Sequence, residues 1–339
     1  MKLNHIYKSI ACGVLLAMTA TSCDLDYNPV DTYSDVTEGV NKTDEKPIFN
    51  SVQDVETSMV TLHKKFRDQQ EHWYVDKLLI GDAHSDNAYA GTTGAEVVPY
   101  ETNSIEGSNS VLKRDWDRFL GDIAVANRII VGCDQLKALS ESERGKYQSQ
   151  AKIFRAMVMF DMVRLWGNFP VITTVGGDIT EDNVEEMYPT YFPPQNTAEE
   201  AYAQIEKDLT EAVENPNTPT NDTSDKSILT KSVARAMLAK VYAEKPLRDY
   251  AKVIKYADEL AADGFDLVED FSDLWAYDTE KKDCRVRNTK EAILEAHFPP
   301  GSGNWCTWMF GRNLSNWDES FTWAKWITPS RDLIRLYEE

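Results

Sequence analysis

Two stretches of the 339-residue chain combine flat aromatic rings with side chains that donate and accept hydrogen bonds. The first is Gly81-Asp-Ala-His-Ser-Asp-Asn-Ala-Tyr-Ala-Gly91, which follows a helical stretch carrying Trp73 and Tyr74. Asp82, Asp86 and Asn87 set two carboxylates and an amide beside the ring of Tyr89. The second is 299–326, where Trp305, Trp308, Trp317, Trp323 and Trp326, five of the nine tryptophans, stand among Gly301, Gly303, Gly311, Asn304 and Asn313. It has no clean period and reads as an elaborate loop region. Rings supply apolar faces, and amides and carboxylates supply a polar rim, so both stretches have the chemistry of a binding surface. Trp305 and Trp308 lead the candidates because glycine-rich loops are exposed, and Trp73 and Trp317 join them. Core burial is the competing expectation for each ring, and Trp116 and Trp166, on helical stripes, are assigned to it.

Catalytic chemistry has no comparable pattern. The 56 acidic residues allow many carboxylate pairs of the kind a glycosidase needs, and no motif singles one out. His-Glu-x-x-His, Gly-x-Ser-x-Gly, a glycine-rich phosphate loop and a Cys/His cluster are all missing from the sequence. Asp82-x-His84-x-Asp86 has alternate-residue ligand spacing but lacks the glycine and terminal glutamate of a calcium loop. Neither a metal nor a cofactor is expected, and the chain is read as a non-enzyme.

The first residues carry an address. Lys2 and Lys8 flank the start of an apolar run, Ile10 to Met18, that is too short to span a bilayer, and Thr19-Ala-Thr-Ser22 leads to Cys23. This is the layout of a bacterial lipoprotein signal in which the Cys23 sulfur takes a lipid, although Ala20 stands where leucine is commoner. The plain alternative is an ordinary secreted protein with a chance cysteine. The expected organisation is a signal peptide over 1–22, a lipidated tether over 23–49 and a helical domain over 50–339. The domain is expected to continue beyond Glu339, because Leu333, Ile334, Leu336 and Tyr337 begin an apolar helix barely two turns long.

Charge narrows the partners. The formal net charge is −20, and removing residues 1–22 leaves 34 basic against 56 acidic side chains. Such a surface repels phosphate backbones, so no nucleic-acid partner is expected. The membrane is reached through the anchor, since no later segment is apolar for long enough to span it. Beyond the leader and Cys23, only Cys133, Cys284 and Cys306 remain, too few for a disulfide framework, with Cys284 to Cys306 an open pairing.

The elements that must position these residues read as successive helices. Ser51 with Asp54 opens a stripe Val52, Val55, Met59, Leu62, Phe66. A second stripe runs Leu112, Trp116, Phe119, Ile123, Ala126, Ile130, Cys133. A third starts at Ser140 with Glu143, carries Tyr147, Ala151, Phe154, Val158, Met162 and Leu165, and stops at Gly167 before Pro170. Thr197 with Glu200 opens a fourth, with Tyr202, Ile205, Leu209 and Val213 inward. Residues 230–263 form a helical pair about the size of a tetratricopeptide hairpin, capped by Asp249 and closed by Gly264. Glu291 to Phe298 is either a short strand or a helical turn.

Gln150-Ala-Lys-Ile-Phe-Arg155-Ala-Met-Val-Met-Phe160-Asp161-Met-Val-Arg164-Leu-Trp166-Gly167-Asn-Phe-Pro170 resembles the signature helix of the SusD/RagB family. Two further stretches agree in order: Thr230 through Gly264-Phe-Asp-Leu267, and Thr289-Lys-Glu-Ala-Ile-Leu-Glu295, which resembles that family's Glu-x-Ile-Phe-Glu strand. The resemblance implies a mainly α fold of tetratricopeptide-like hairpins with irregular, loop-rich ligand-binding insertions. It implies a surface-exposed lipoprotein of a Gram-negative outer membrane that captures oligosaccharide or polysaccharide for a SusC-like TonB-dependent transporter. RagB-like members handle peptides instead, and a helical scaffold binding only protein partners is the third reading. The aromatic and amide positions above then suit a pyranose, which has C–H faces and a hydroxyl rim. Arg155, Asp161 and Arg164 are assigned to the scaffold, as ion pairs along one helix.

Overall fold

The computed structural model describes residues 47–90, 96–177, 179, 183–244, 246–299 and 328–338. Cys23 and its flanking segments lie outside the described residues, as do Trp305, Trp308, Trp317 and Cys306. The chain divides after Pro47, and the elements below belong to the unit Ile48–Glu339.

Side-chain caps begin the major helices where the sequence placed them. In α1 (Val52–Asp68) the Ser51 hydroxyl accepts from the Asp54 amide, and the Asp54 carboxylate accepts from that of Ser51. The same reciprocal arrangement opens α4 (Glu141–Trp166) through Ser140 and Glu143, and α6 (Ala198–Glu214) through Thr197 and Glu200. Each satisfies amides that an α-helix leaves without intrahelical partners. Asn109 caps α3 (Ser110–Gln135), Thr230 caps α7 (Lys231–Ala243) and Asp249 caps α8 (Tyr250–Ala262). Two helix ends require glycine: Gly167 follows α4 at φ +73° and Gly264 follows α8 at φ +91°, both in the left-handed region that strains a side chain. Shorter helices are α2 (Val98–Glu101), α5 (Val184–Tyr191) and α9 (Arg331–Glu338). Strands are two residues each: β1 (Ala88–Tyr89) pairs antiparallel with β4 (Thr328–Pro329), and β2 (Tyr277–Asp278) with β3 (Asp283–Cys284). The mainly helical class read from the sequence is what is found.

Packing centres on α4, which touches α1, α3, α6 and α7. The stripe from Tyr147 to Leu165 implies one apolar face, yet the structure buries nearly every residue from Ser149 to Val163. A helix covered by neighbours on several sides needs apolar residues all round, and Ile153, Ala156, Met157 and Met159 supply the faces the stripe omits. α7 and α8 pack together as the expected hairpin, with the rings of Tyr242 and Tyr256 parallel, 6.1 Å apart. Residues 291–298 form neither strand nor helix; the Glu295 amide instead donates to the Lys226 carbonyl at 2.9 Å.

The scaffold assignment of the signature charges holds, but their partners differ from those expected. Arg155, 4% exposed, does not pair along its own helix. Its Nε and Nη2 donate to both carboxylate oxygens of Asp208 on α6, at 2.8 and 2.7 Å, and Nη1 donates to Asn127 Oδ1 on α3 at 2.7 Å. Asp161 meets Lys77, and Arg164 meets Glu244. Interhelical pairing wins because the planar guanidinium fork fits a carboxylate edge-on, and such an edge is provided only by a neighbouring helix. Arg155→Ala is expected to destabilise the fold by about 3–5 kcal/mol, because Asp208 is left buried and uncompensated. Urea unfolding checks this, and a loss under about 1 kcal/mol would deny the junction its role.

Candidate functional site

The first candidate loop leaves a helical segment of unusual geometry. Glu71–Val75 and Leu79–Ala83 are π-helical turns on either side of the α-helical Asp76–Leu78. Wide turns of this kind shift the side-chain register and are frequent near functional sites. Beyond Ala83 the chain bends tightly: the Ser85 hydroxyl donates to the Asp82 carbonyl at 2.8 Å and accepts from the Asn87 amide at 3.2 Å. β1 follows, its buried Ala88 opposite Pro329 and its exposed Tyr89 opposite Thr328. The Ser330 amide donates to the Asn87 carbonyl at 2.8 Å, and the Ala90 amide to the Glu101 carboxylate at 2.9 Å. The segment is thus anchored at both edges while Asp82, His84, Asp86 and Asn87 face solvent.

Tyr89 is 42% exposed, so Asp82, Asp86, Asn87 and Tyr89 share one accessible loop with a ring and polar groups close together. The β1–β4 pairing sets this loop beside the residues that directly follow the tryptophan-rich segment. Trp73 has a different fate. It is 3% exposed, its Nε1 donates to Asp122 at 3.1 Å, and its ring meets Phe66 edge-on at 5.2 Å. The expectation that Trp73 offers a ring to a ligand is therefore corrected: Asp122, buried at the helical core and also bound to His72 Nε2 at 2.9 Å, draws the indole inward by taking its N–H. Trp116 and Trp166 pack edge to face at 5.3 Å, as structural rings.

Among the described residues no group of three or more His, Cys, Asp or Glu side chains gathers as a metal site. A second aromatic surface, not anticipated from the sequence, lies on Phe271, Trp275 and Tyr277, which are 70%, 74% and 55% exposed. A cleft of about 310 Å³ opens beside it, lined by Leu274, Val286, Arg287 and Thr289 among others. Its main polar groups are already engaged, Arg287 with Asp283 and Glu295 with Asn288 and His297. The closely spaced Phe271, Trp275 and Tyr277, in a stretch without helical period, were the signal available in the sequence.

Beneath the candidate loop lies a small core of Val75, Ala83, Ala88, Tyr100 and Val111. Asp76 and Asp115 are embedded beside it, 0% and 1% exposed, with Arg114 between them. Burial and the neighbouring Asp76 push the Asp115 carboxyl up to about 8, and burial raises the Tyr100 hydroxyl as well.

Comparison with known proteins converges on one family. The family described as "Starch-binding associating with outer membrane", a SusD-like group, matches residues 32–243. The chain belongs to the SusD-like family. A SusD-like protein of Bacteroides ovatus is 25% identical over 309 residues, covering 87% of this chain and 50% of its own length. The chain thus spans about half the length of that SusD-like relative. A SusD superfamily structure from Bacteroides thetaiotaomicron superposes with a TM-score of 0.64 at 19% identity, covering 84% of this chain and 61% of that one. Surface glycan-binding protein A from Bacteroides fluxus gives 0.60 at 21% identity, with 76% and 52% covered. The B. thetaiotaomicron protein of that name, in complex with laminarihexaose, gives 0.53 at 16% identity, with 66% and 46% covered. At these identities the likeness carries the SusD-like fold.

The two kinds of ring are separable by stability. Trp73→Ala is expected to cost about 3–5 kcal/mol as a core truncation. Tyr89→Ala and Asp82→Ala are expected to stay within about 0.5 kcal/mol of the parent chain. Chemical denaturation followed by circular dichroism distinguishes the two classes.

Proposed function

We propose that the chain is a surface-exposed, lipid-anchored glycan-binding protein that captures oligosaccharides at the outer membrane and delivers them to a SusC-like TonB-dependent transporter. Residues 1–22 direct export, the Cys23 sulfur carries the lipid, and 23–49 is the tether. The helical body then holds the ligand loop without chemistry: binding is by ring stacking and hydroxyl contacts, and the sugar leaves unchanged.

One observation carries the reading. The β1–β4 pairing holds the polar loop Asp82, Asp86, Asn87 and Tyr89 against the residues that follow the tryptophan-rich 305–326 segment. Carboxylates and amides with rings nearby suit a pyranose. Membership of a family described as starch-binding, and a fold shared with a protein bound to laminarihexaose, support the same class of ligand. Trp305, Trp308 and Trp317 are proposed as further aromatic platforms for the ligand.

The test titrates the purified chain with soluble polysaccharides and with peptides, following tryptophan fluorescence and assaying each mixture for new reducing ends. A saturable response to a glycan without new ends is expected. Response to peptides alone would favour a RagB-like peptide carrier, and new ends would mean hydrolysis. Trp305→Ala, Trp308→Ala and Tyr89→Ala are each expected to weaken glycan binding about tenfold, or about 1.4 kcal/mol, at unchanged melting temperature. Unchanged affinity in all three would move the site elsewhere.

A further inference from the structure

The Asp76–Asp115 cluster presents a charge imbalance that hydrogen bonding leaves unresolved. Arg114 Nη2 donates to Asp76 Oδ2, and Arg114 Nε lies 3.7 Å from Asp115 Oδ1. Asp76 Oδ1, both oxygens of Asp115 and Arg114 Nε nevertheless lack hydrogen-bond partners. The other groups facing the cluster offer no remedy. Arg118 on α3 is engaged by Glu71 at 2.8 Å, and the Tyr100 hydroxyl, from α2, contacts Asn109 Oδ1 at 3.4 Å. Two carboxylates shut away from water, facing one partly exposed guanidinium, leave one negative charge uncompensated. A single proton removes that charge and turns one orphaned oxygen into a donor for the other carboxylate. This is how two carboxylates sharing a buried site behave.

We propose that Asp76 and Asp115 share a proton, and that this proton is the latch holding the 71–90 segment, with its ligand-facing loop, against α3. Asp76 belongs to the helical segment that runs directly into Asp82, and Asp115 belongs to α3, so the shared proton ties the loop's base to the helical body. The carboxyl is raised in the fold, from 3.8 to about 8. Its contribution is therefore complete at acid pH, declines as pH rises past the unfolded value, and is gone above the folded one. Deprotonation leaves two buried carboxylates in repulsion and frees the loop's base. The consequence for ligand capture rests on the function proposed above, whereas the latch itself does not.

Hydrogen exchange on the full chain reads the latch without any ligand. Protection of the amides in 79–90, corrected for intrinsic rates and normalised to the α7–α8 hairpin, is expected to fall at least about tenfold between about pH 6 and pH 9. Asp115→Asn keeps a neutral side chain at every pH and is expected to flatten that profile at its low-pH level. If Asp115→Asn fails to fold, Asp76→Asn serves, since Asp115 then loses the carboxylate it shares the proton with and keeps Arg114 and Arg118 as charged neighbours. A flat profile in the parent chain overturns the proposal. So does alkaline protection that depends on added Na⁺ or Ca²⁺, which would replace the proton by a cation. Glycan affinity, measured in parallel, is expected to decline over the same range. A latch seen in exchange but with no glycan bound would count against the proposed function alone.

Discussion

The fold depends on a fork of hydrogen bonds at Arg155. A guanidinium buried at the centre of a helical body must meet its donors' demands from neighbouring helices, and Asp208 and Asn127 meet them from two. Asn127 in turn donates to the carbonyls of Ile172 and Thr174, fastening the chain that leaves α4. The geometry of three helices and one loop is therefore specified by a single side chain. Apolar packing around α4 supplies the bulk of the driving force but tolerates sliding. The planar fork does not, because its two parallel bonds to Asp208 align in one register only.

How much of this was legible in the sequence follows from how local each signal is. Caps are local, so Ser51, Ser140, Thr197, Thr230 and Asp249 announced their helices, and Gly167 and Gly264 their ends. Polar residues at buried positions are not. No local pattern gives a reason to bury Asp115, Asp122 or Asp208, and groups distant in sequence surround each of them in the fold. The same non-locality hid the fate of Trp73, whose indole is drawn inward by Asp122, 49 positions away. The π-turns in 71–83 also escaped, because a register shift inside a helix leaves no periodic trace over so few residues. Of the candidate site, the polar loop was legible from composition, while its pairing partner was not.

A SusD-like body makes sense of the division of labour between these features. The long helices are knit by apolar contacts and buried charge pairs, and the candidate groups Asp82, Asp86, Asn87 and Tyr89 lie on an irregular edge where side chains remain in water. The strongly acidic composition disfavours polyanions, while an uncharged hydroxylated molecule is indifferent to it. The exposed carboxylates of Asp82 and Asp86 can accept hydrogen bonds from hydroxyl groups without demanding a counter-charge.

The β1–β4 ladder has a consequence in time as well as in space. Most helix contacts join elements adjacent or nearly adjacent in sequence, as in α3 with α4 and α7 with α8, whereas Ala88 can find Pro329 only across almost the whole described chain. Short-range contacts form early, and a ladder that closes so large a loop waits for them. During synthesis the helical body can mature while the residues at 328–330 are still to be made, so the edge that carries the candidate loop is assembled late. Two residue pairs and the Ser330 amide on the Asn87 carbonyl close it, a short ladder of the kind that opens readily under stress.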